Sequence, residues 1–276
     1  MPLSTNGRHE EVDEGFAHLL KFWRQKRRLS QLDLALTSGV SQRHVSFLES
    51  GRAQPSRRMI LQLSETLEVP LRERNFWLTA AGFAPVFKAH PLDDPRMSQV
   101  MSTVRMMLAN HAPFPAIAID RAWNIVMSNA PFERMGAMIG EDLWTRVGGE
   151  PRNLMRLCFH PGGIRPFVTN WKAIAPLLWS RAQREAEALS GQEMKQVLLE
   201  LRPYQDADTV GSTDEAAGLV PVLPLELAKD GVRISLFTVI ATFGTAQDVT
   251  ADELRIETFF PADEATERLF RSVPLA

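Results

Sequence analysis

Between residues 30 and 51 the chain is punctuated so closely that it has room for two short helices and a tight turn. Ser30 is followed three residues later by Asp33, a variant of the capping box, which opens a helix expected to bury Leu32, Ala35 and Leu36. Gly39 closes it, because the chain commonly leaves a helix through positive φ. Only Val40 separates Gly39 from Ser41, a good N-cap for the next helix, which Gly51 ends. Two short helices joined through a glycine and one apolar residue make a helix-turn-helix, with 41–50 as the recognition helix.

The flanking residues complete a small helical domain. Phe16, Leu19, Leu20 and Trp23 recur at i, i+3, i+4 and i+7, which gives a first helix one apolar stripe that runs out in Lys26-Arg27-Arg28. Ser56 caps a fourth helix that buries Ile60, Leu63 and Leu67. A fifth runs from about Pro70 to Ala81, with Gly82 as its stop. In the recognition helix Val45 and Leu48 face inward, leaving Gln42, Arg43, Ser46 and Phe47 outside. Glutamine pairs with adenine, arginine with guanine, and an aromatic ring packs on a thymine methyl. Charge agrees with that chemistry. From Lys21 to Arg58 there are nine Lys or Arg against Asp33 and Glu49, so this segment is +7. The whole chain is −2, so the remainder sums to −9. A basic block on an acidic chain points to one polyanion-binding module attached to something else.

The stretch Gln31-Leu32-Asp33-Leu34-Ala35, then Gly39-Val40-Ser41, Ser46 to Arg52, and Pro55-Ser56 resembles the Xre/phage-repressor helix-turn-helix family. The resemblance covers about 14–82 and implies an all-α, five-helix, lambda-repressor-like DNA-binding domain. It implies that Gln31 touches a phosphate, that Gln42, Arg43 and Phe47 approach bases, and that His44 and Arg52 contact the DNA backbone. It also implies a structural pair between Glu49 and Arg24. The partner is then a double-stranded operator, bound by a homodimer on a pseudo-palindrome, since one short module rarely supplies enough specific affinity.

Residues 1–13 read as a flexible N-terminus, and 83–110 as a linker with a connector helix: Pro85, Pro91 and Pro95 flank Asp93-Asp94, followed by Val100, Val104, Met107 and Leu108 on one stripe. That helix suits docking on the second domain or a dimer contact. In 111–276, strands are expected at Phe114 to Asp120 and Trp123 to Ser128. Asn129 is placed to cap a helix, and further helices are expected at Asn153 to Phe159, Thr169 to Ala188 and Glu193 to Arg202. Tyr204 to Gly218 reads as a polar surface loop. Strands return at Leu219 to Leu227, Val232 to Phe243 and Arg255 to Phe260, before a helix from Ala262 to Arg271. Lys229-Asp230-Gly231 signals a hairpin. Two strands, several helices and three strands make an α+β domain with an antiparallel sheet, PAS-like in its order and also compatible with a GAF-like sensor.

Trp123-Asn124, Asn129-Ala130, Arg152-Asn153-Leu154, Phe159-His160-Pro161 and Asn170-Trp171, in that order behind an Xre-type domain, resemble the MmyB-like transcription regulators. The resemblance implies a PAS-like ligand-binding domain and a long-chain fatty acid or similar apolar effector. Trp123, Phe132, Leu157, Phe159, Trp171 and Leu178 are the candidate walls, with Arg152, His160 or Arg165 to meet a carboxylate.

Other chemistries find less support. One cysteine, Cys158, excludes an internal disulfide and a multi-cysteine zinc site. Cys158 and His160 are two apart, but the cysteine lies in an apolar helical stretch where an inert thiol is usual. The histidines lack metal-site spacing, and Gly162-Gly163 does not join a strand to a helix as a phosphate loop does. No cofactor, metal or enzymatic role is expected. No apolar run reaches the roughly 18–20 residues that span a bilayer, and a cytoplasmic location is expected. Two alternatives to a ligand-sensing regulator stay open: a second domain that serves only dimerisation or partner binding, and an enzyme with a DNA-binding appendage.

Overall fold

The computed structural model describes residues 15–187, 191–205 and 221–272, so the N-terminus 1–13 and most of the polar stretch after Tyr204 lie outside the described residues. The chain forms two compact units that part between Lys88 and Ala89.

The first unit holds α1 (Phe16–Lys26), α2 (Gln31–Ser38), α3 (Gln42–Glu49), α4 (Arg57–Thr66) and α5 (Leu71–Ala80). Its core gathers Leu20, Trp23, Leu34, Val45, Leu48 and Trp77. Phe16 meets Trp77 edge-to-face at 5.6 Å. The predicted capping box is present in full: Asp33 N–H donates to Ser30 Oγ (3.1 Å) and Ser30 N–H to Asp33 Oδ2 (2.9 Å). Hydrogen bonds from Ser30 hold the Asp33 carboxyl below the usual carboxylate range. The stabilisation from this cap is therefore complete above that range and lost as pH falls through the lowered value. Gly39 takes φ 67° and turns the chain into α3, whose first turn Ser41 Oγ caps by accepting from His44 N–H.

One expectation for α2 is corrected. Its inward residues are Leu34, Ala35 and Ser38, while Leu32 and Leu36 are 48% and 73% exposed. Packing of α2 on its neighbours sets its rotation, and 34, 35 and 38 lie at i, i+1 and i+4 on the opposite side from 32 and 36. Arg27 ties α1 to the end of α4 by donating to the carbonyls of Leu67 (2.8 Å) and Glu68 (2.9 Å).

The second unit is built on a five-stranded antiparallel sheet in the order β2-β1-β5-β4-β3. The strands are β1 (Ala116–Ile119), β2 (Ile125–Ser128), β3 (Leu225–Lys229), β4 (Val232–Ala241) and β5 (Arg255–Pro261). Before it comes α6 (Ser98–Asn110); between β2 and β3 lie α7 (Ala130–Ile139), α8 (Leu143–Arg146), α9 (Leu154–Phe159), α10 (Trp171–Ala186) and α11 (Gln192–Leu201). Two short elements, α12 (Val249–Glu253) and α13 (Glu264–Ser272), flank β5. Strand alternation divides the sheet into two faces. Ile117, Ile119, Leu236 and Phe259 join the core under α7 to α11. Ala116, Ala118 and Ile256 turn the other way and receive Val104 and Leu108 of α6. The connector helix thus docks on the back of the sheet.

The strand expected from Leu219 starts at Leu225 instead, immediately after Pro224, whose nitrogen has no hydrogen to give a ladder. Asp230 (φ 50°) and Gly231 (φ 82°) form the predicted hairpin turn between β3 and β4. No helix among the described residues is long and apolar enough to cross a membrane.

Asn129 joins three elements. Its Oδ1 accepts from Phe132 N–H, which caps α7, and from Ala116 N–H in β1; its Nδ2 donates to the carbonyls of Leu108 and Phe114. Asn129→Ala should therefore cost about 3 kcal/mol by leaving several buried groups unpaired. Urea unfolding followed by circular dichroism would read this, and a loss below about 0.5 kcal/mol would show that the joint is dispensable.

Candidate functional site

α3 is held from beneath by a carboxylate. Arg24 donates to Glu49 through Nε (2.6 Å) and Nη2 (3.0 Å), and Gln31 Nε2 donates to the second Glu49 oxygen at 2.8 Å. The arginine and glutamate side chains are 11% and 5% exposed. The hydrogen bond to Glu49 raises the Arg24 pKa against the opposing effect of burial, and the pair's attraction adds to it. The same arginine donates to Leu29 O at 2.7 Å, so α1, the α1–α2 turn and α3 share one cation. Gln31, expected at a phosphate, gives one of its two amide N–H groups to this cluster.

With α3 anchored, its outer face is open. Gln42, Arg43 and Arg52 are exposed, and His44, Ser46 and Phe47 are half-buried. The Arg43 guanidinium lies 5.2 Å from the Phe47 ring centroid, and among the described residues it makes no ion pair. Polar donors and an aromatic ring share one helix face above Val45 and Leu48, a surface of the shape and chemistry that enters a major groove.

The second unit encloses a cavity of about 290 Å³ between the helices and the inner sheet face. Its walls are mainly apolar: Phe132, Leu143, Leu157, Ile174, Leu178 and Phe259 among others. The lining residues Leu177, Val222 and Ile240 are 40%, 53% and 42% exposed and mark the opening. Charge enters at one place, where Arg181 of α10 donates to Glu257 of β5 at 2.8 Å and Glu257 is 3% exposed. The Arg181 guanidinium stands 4.4 Å from the Trp123 ring centroid, and Trp123 Nε1 donates to Glu185 at 2.6 Å. Glu185 also approaches Arg181 (3.5 Å) and Arg255 (2.6 Å).

Of the expected ligand contacts, Trp123, Phe132, Leu157 and Leu178 line this cavity. Arg152, Phe159, His160 and Trp171 are not on its wall. Phe159 is buried against the rings of Trp171 (5.1 Å) and Trp179 (5.3 Å), a layer behind the cavity. His160 packs on Tyr204 and accepts a hydrogen bond from Gly162 N–H at 3.0 Å. Arg152 pairs with Glu133 and Glu150 and covers Trp144. Arg165 donates to Tyr204 O. Aromatic or cationic character suited these residues to a ligand, but packing turned them elsewhere. Sequence reasoning missed Arg181 and Glu257, although a signal existed. Ile174, Leu177, Leu178 and Arg181 continue one stripe at i, i+3, i+4 and i+7, and Glu257 shares the inward register of Phe259. A charge at an inward position of an apolar pattern marks a site.

Cys158 also lines the cavity. Burial pushes its thiol up to about 12, and the Glu257 charge adds to the shift. The neutral thiol dominates at physiological pH, and His160 is engaged with Gly162, so no activated nucleophile is formed here. Gly163 serves a close approach: a β-carbon would stand 2.1 Å from Leu157 O, in the turn that follows α9. Among the described residues no group of three or more His, Cys, Asp or Glu side chains could hold a metal ion.

The model of the MmyB-like transcription regulator ligand binding domain matches residues 100–273, more than half of the chain. The chain belongs to the MmyB-like transcription regulators. A helix-turn-helix model matches residues 20–74, which contain α2 and α3 entire. No curated protein matches the chain. The protein is a DNA-binding transcription regulator with an MmyB-like ligand-binding domain. The residues that carry the MmyB-like resemblance are largely joints. Beside Asn129, Asn153 caps α9 and donates to Ala122 O, and Asn170 pins the start of β3 through Pro224 O and Glu226 N–H.

Two outcomes follow for this regulator. Arg24→Ala should destabilise the first unit by about 3–5 kcal/mol, because Glu49 is left buried without its cation. Thermal melts would show it, and an unchanged melting temperature would refute the anchor. The Cys158 thiol should resist iodoacetamide at pH 8 in the native protein and react on unfolding; rapid native alkylation would contradict its raised pKa. Its stabilising effect is complete below about pH 9, the ordinary thiol value, and lost as pH rises from there through about 12.

Proposed function

We propose that this regulator binds a double-stranded operator through α3 and adjusts that binding to a small apolar effector held in the cavity of the second unit. Gln42, Arg43, Ser46 and Phe47 read bases, and His44, Arg52 and Gln31 meet the backbone. The exposed, unpaired guanidinium of Arg43 supports this assignment, as does the anchoring of α3 by groups that do not belong to its outer face. A homodimer on a pseudo-palindromic site gives the affinity that one module lacks.

The cavity is the observation that carries the sensor reading. A domain serving only dimerisation has no use for a solvent-connected apolar space of about 290 Å³ in its core. The order of two strands, helices and three strands is that of a PAS-like sensor, and an alkyl chain such as that of a fatty acid suits the walls. No nucleophile or metal cluster described above recommends catalysis. α6 is the element through which the signal leaves, because it packs on β1 and β5, and β5 contributes Glu257 and Phe259 to the cavity.

The test is direct. Native mass spectrometry of the full chain, with extraction of whatever co-purifies or binds on addition, should find one small apolar molecule per chain. Leu178→Trp, which narrows the cavity, should weaken that adduct and make operator binding less responsive to it, without unfolding the first unit. An adduct unchanged in Leu178→Trp would remove the cavity from the mechanism. In the same titrations Arg43→Ala should keep the melting temperature and lose about 1–3 kcal/mol of discrimination between operator and altered sites. Full retained discrimination would overturn the reading face.

A further inference from the structure

The cavity's charges restrict what the effector can be. Arg181 and Arg255 are matched by Glu185 and Glu257: Arg181 donates to Glu257 at 2.8 Å and approaches Glu185 at 3.5 Å, and Arg255 approaches Glu185 at 2.6 Å. Two guanidinium groups face two carboxylates, so the cluster is neutral. Arg181 is further fixed by the Trp123 ring, which lies 4.4 Å from the guanidinium and is fully buried. Glu257, from the sheet, is buried to 3%.

We infer that the cavity selects a neutral, largely apolar molecule of medium length whose hydroxyl or carbonyl oxygen meets the Arg181–Glu257 pair, in preference to a free carboxylate. The inference rests on the cavity being the effector site. A carboxylate entering here adds a third negative charge where two cations are already spent. It loses its hydration and meets Glu257 as a like charge. A hydroxyl escapes both costs, since it donates to the carboxylate and accepts from the guanidinium. Arginine carries five N–H donors, and the contacts to Glu257 and Glu185 do not exhaust them. Size agrees with a medium chain. An apolar cavity of about 150 Å³ takes up benzene, so a space of about 290 Å³ admits a molecule of roughly twice that size. A longer chain must leave past Leu177, Val222 and Ile240.

The test compares 1-octanol with octanoate on the delipidated full chain at pH 8, below the micellar range, by calorimetry and by tryptophan fluorescence. Trp123 and Trp144 line the cavity and report directly. Octanol should bind about tenfold or more tightly than octanoate. Because octanol is also the more apolar probe, the deciding readout is the variant Glu257→Gln, which frees charge on Arg181. It should move the octanol-to-octanoate ratio about tenfold towards octanoate. Glu185→Gln, at the more exposed end of the cluster, should move it in the same direction and serves if the first variant does not fold. Octanoate binding as tightly as octanol to the native chain, or a ratio unmoved in both variants, would overturn the inference and leave the cavity as effector site. Failure of both probes to bind the native chain would remove the cavity reading and this one with it.

Discussion

The pair between Arg181 and Glu257 ties the longest helix of the second unit to its central sheet, and the cavity exists beside it. Covering a charged pair with apolar side chains strips its remaining polar contacts, and both members of this pair line the space. Trp123, Glu185 and Arg255 extend the pair into a network that fixes where α10 meets β5 and the β1–β2 loop. The walls are then ordinary core, built from the helix stripe at Ile174 and Leu178 and the strand alternation at Leu236 and Phe259.

The first unit uses the same chemistry to the opposite end. Arg24, Gln31 and Glu49 also form a charged cluster under a helix, and there the Gln31 amide takes up a further contact of the carboxylate. Its effect is to hold α3 by one side so that Gln42, Arg43 and Phe47 on the other side are free. A rigid reading helix and a yielding sensor core are complementary demands. One buried carboxylate answers each.

Local chemistry was the legible part of the sequence. Ser30, Ser41, Ser56 and Asn129 all cap the helices that their spacing announced, since a cap depends on neighbours within a few residues. Gly39 and the Asp230-Gly231 turn were legible for the same reason. Rotation about a helix axis was less so: an apolar residue at 32 or 36 satisfies an amphipathic pattern, and only the packing of α2 on its neighbours selects Leu34 and Ser38 beside Ala35 instead. The cavity was half legible. Trp123, Phe132, Leu157 and Leu178 were found from aromatic and aliphatic placement. Phe159 and Trp171 were named as apolar walls and Arg152 and His160 as partners for a carboxylate, yet they lie off the cavity, whereas Arg181 and Glu257 lie 76 residues apart and meet only in the fold. Their inward positions in apolar patterns were visible, but which charge would find which partner was not.

The second domain acts as a sensor only if its ligand distinguishes between states that differ in operator affinity. The most direct measurement is operator affinity on the full chain, at fixed salt, with the cavity emptied and then saturated by the same ligand. A coupling of about 1.4 kcal/mol corresponds to about a tenfold change in operator affinity, with the reciprocal change in ligand affinity when operator is bound. Identical operator affinities in the two states would contradict a sensor role for the cavity, whatever it binds.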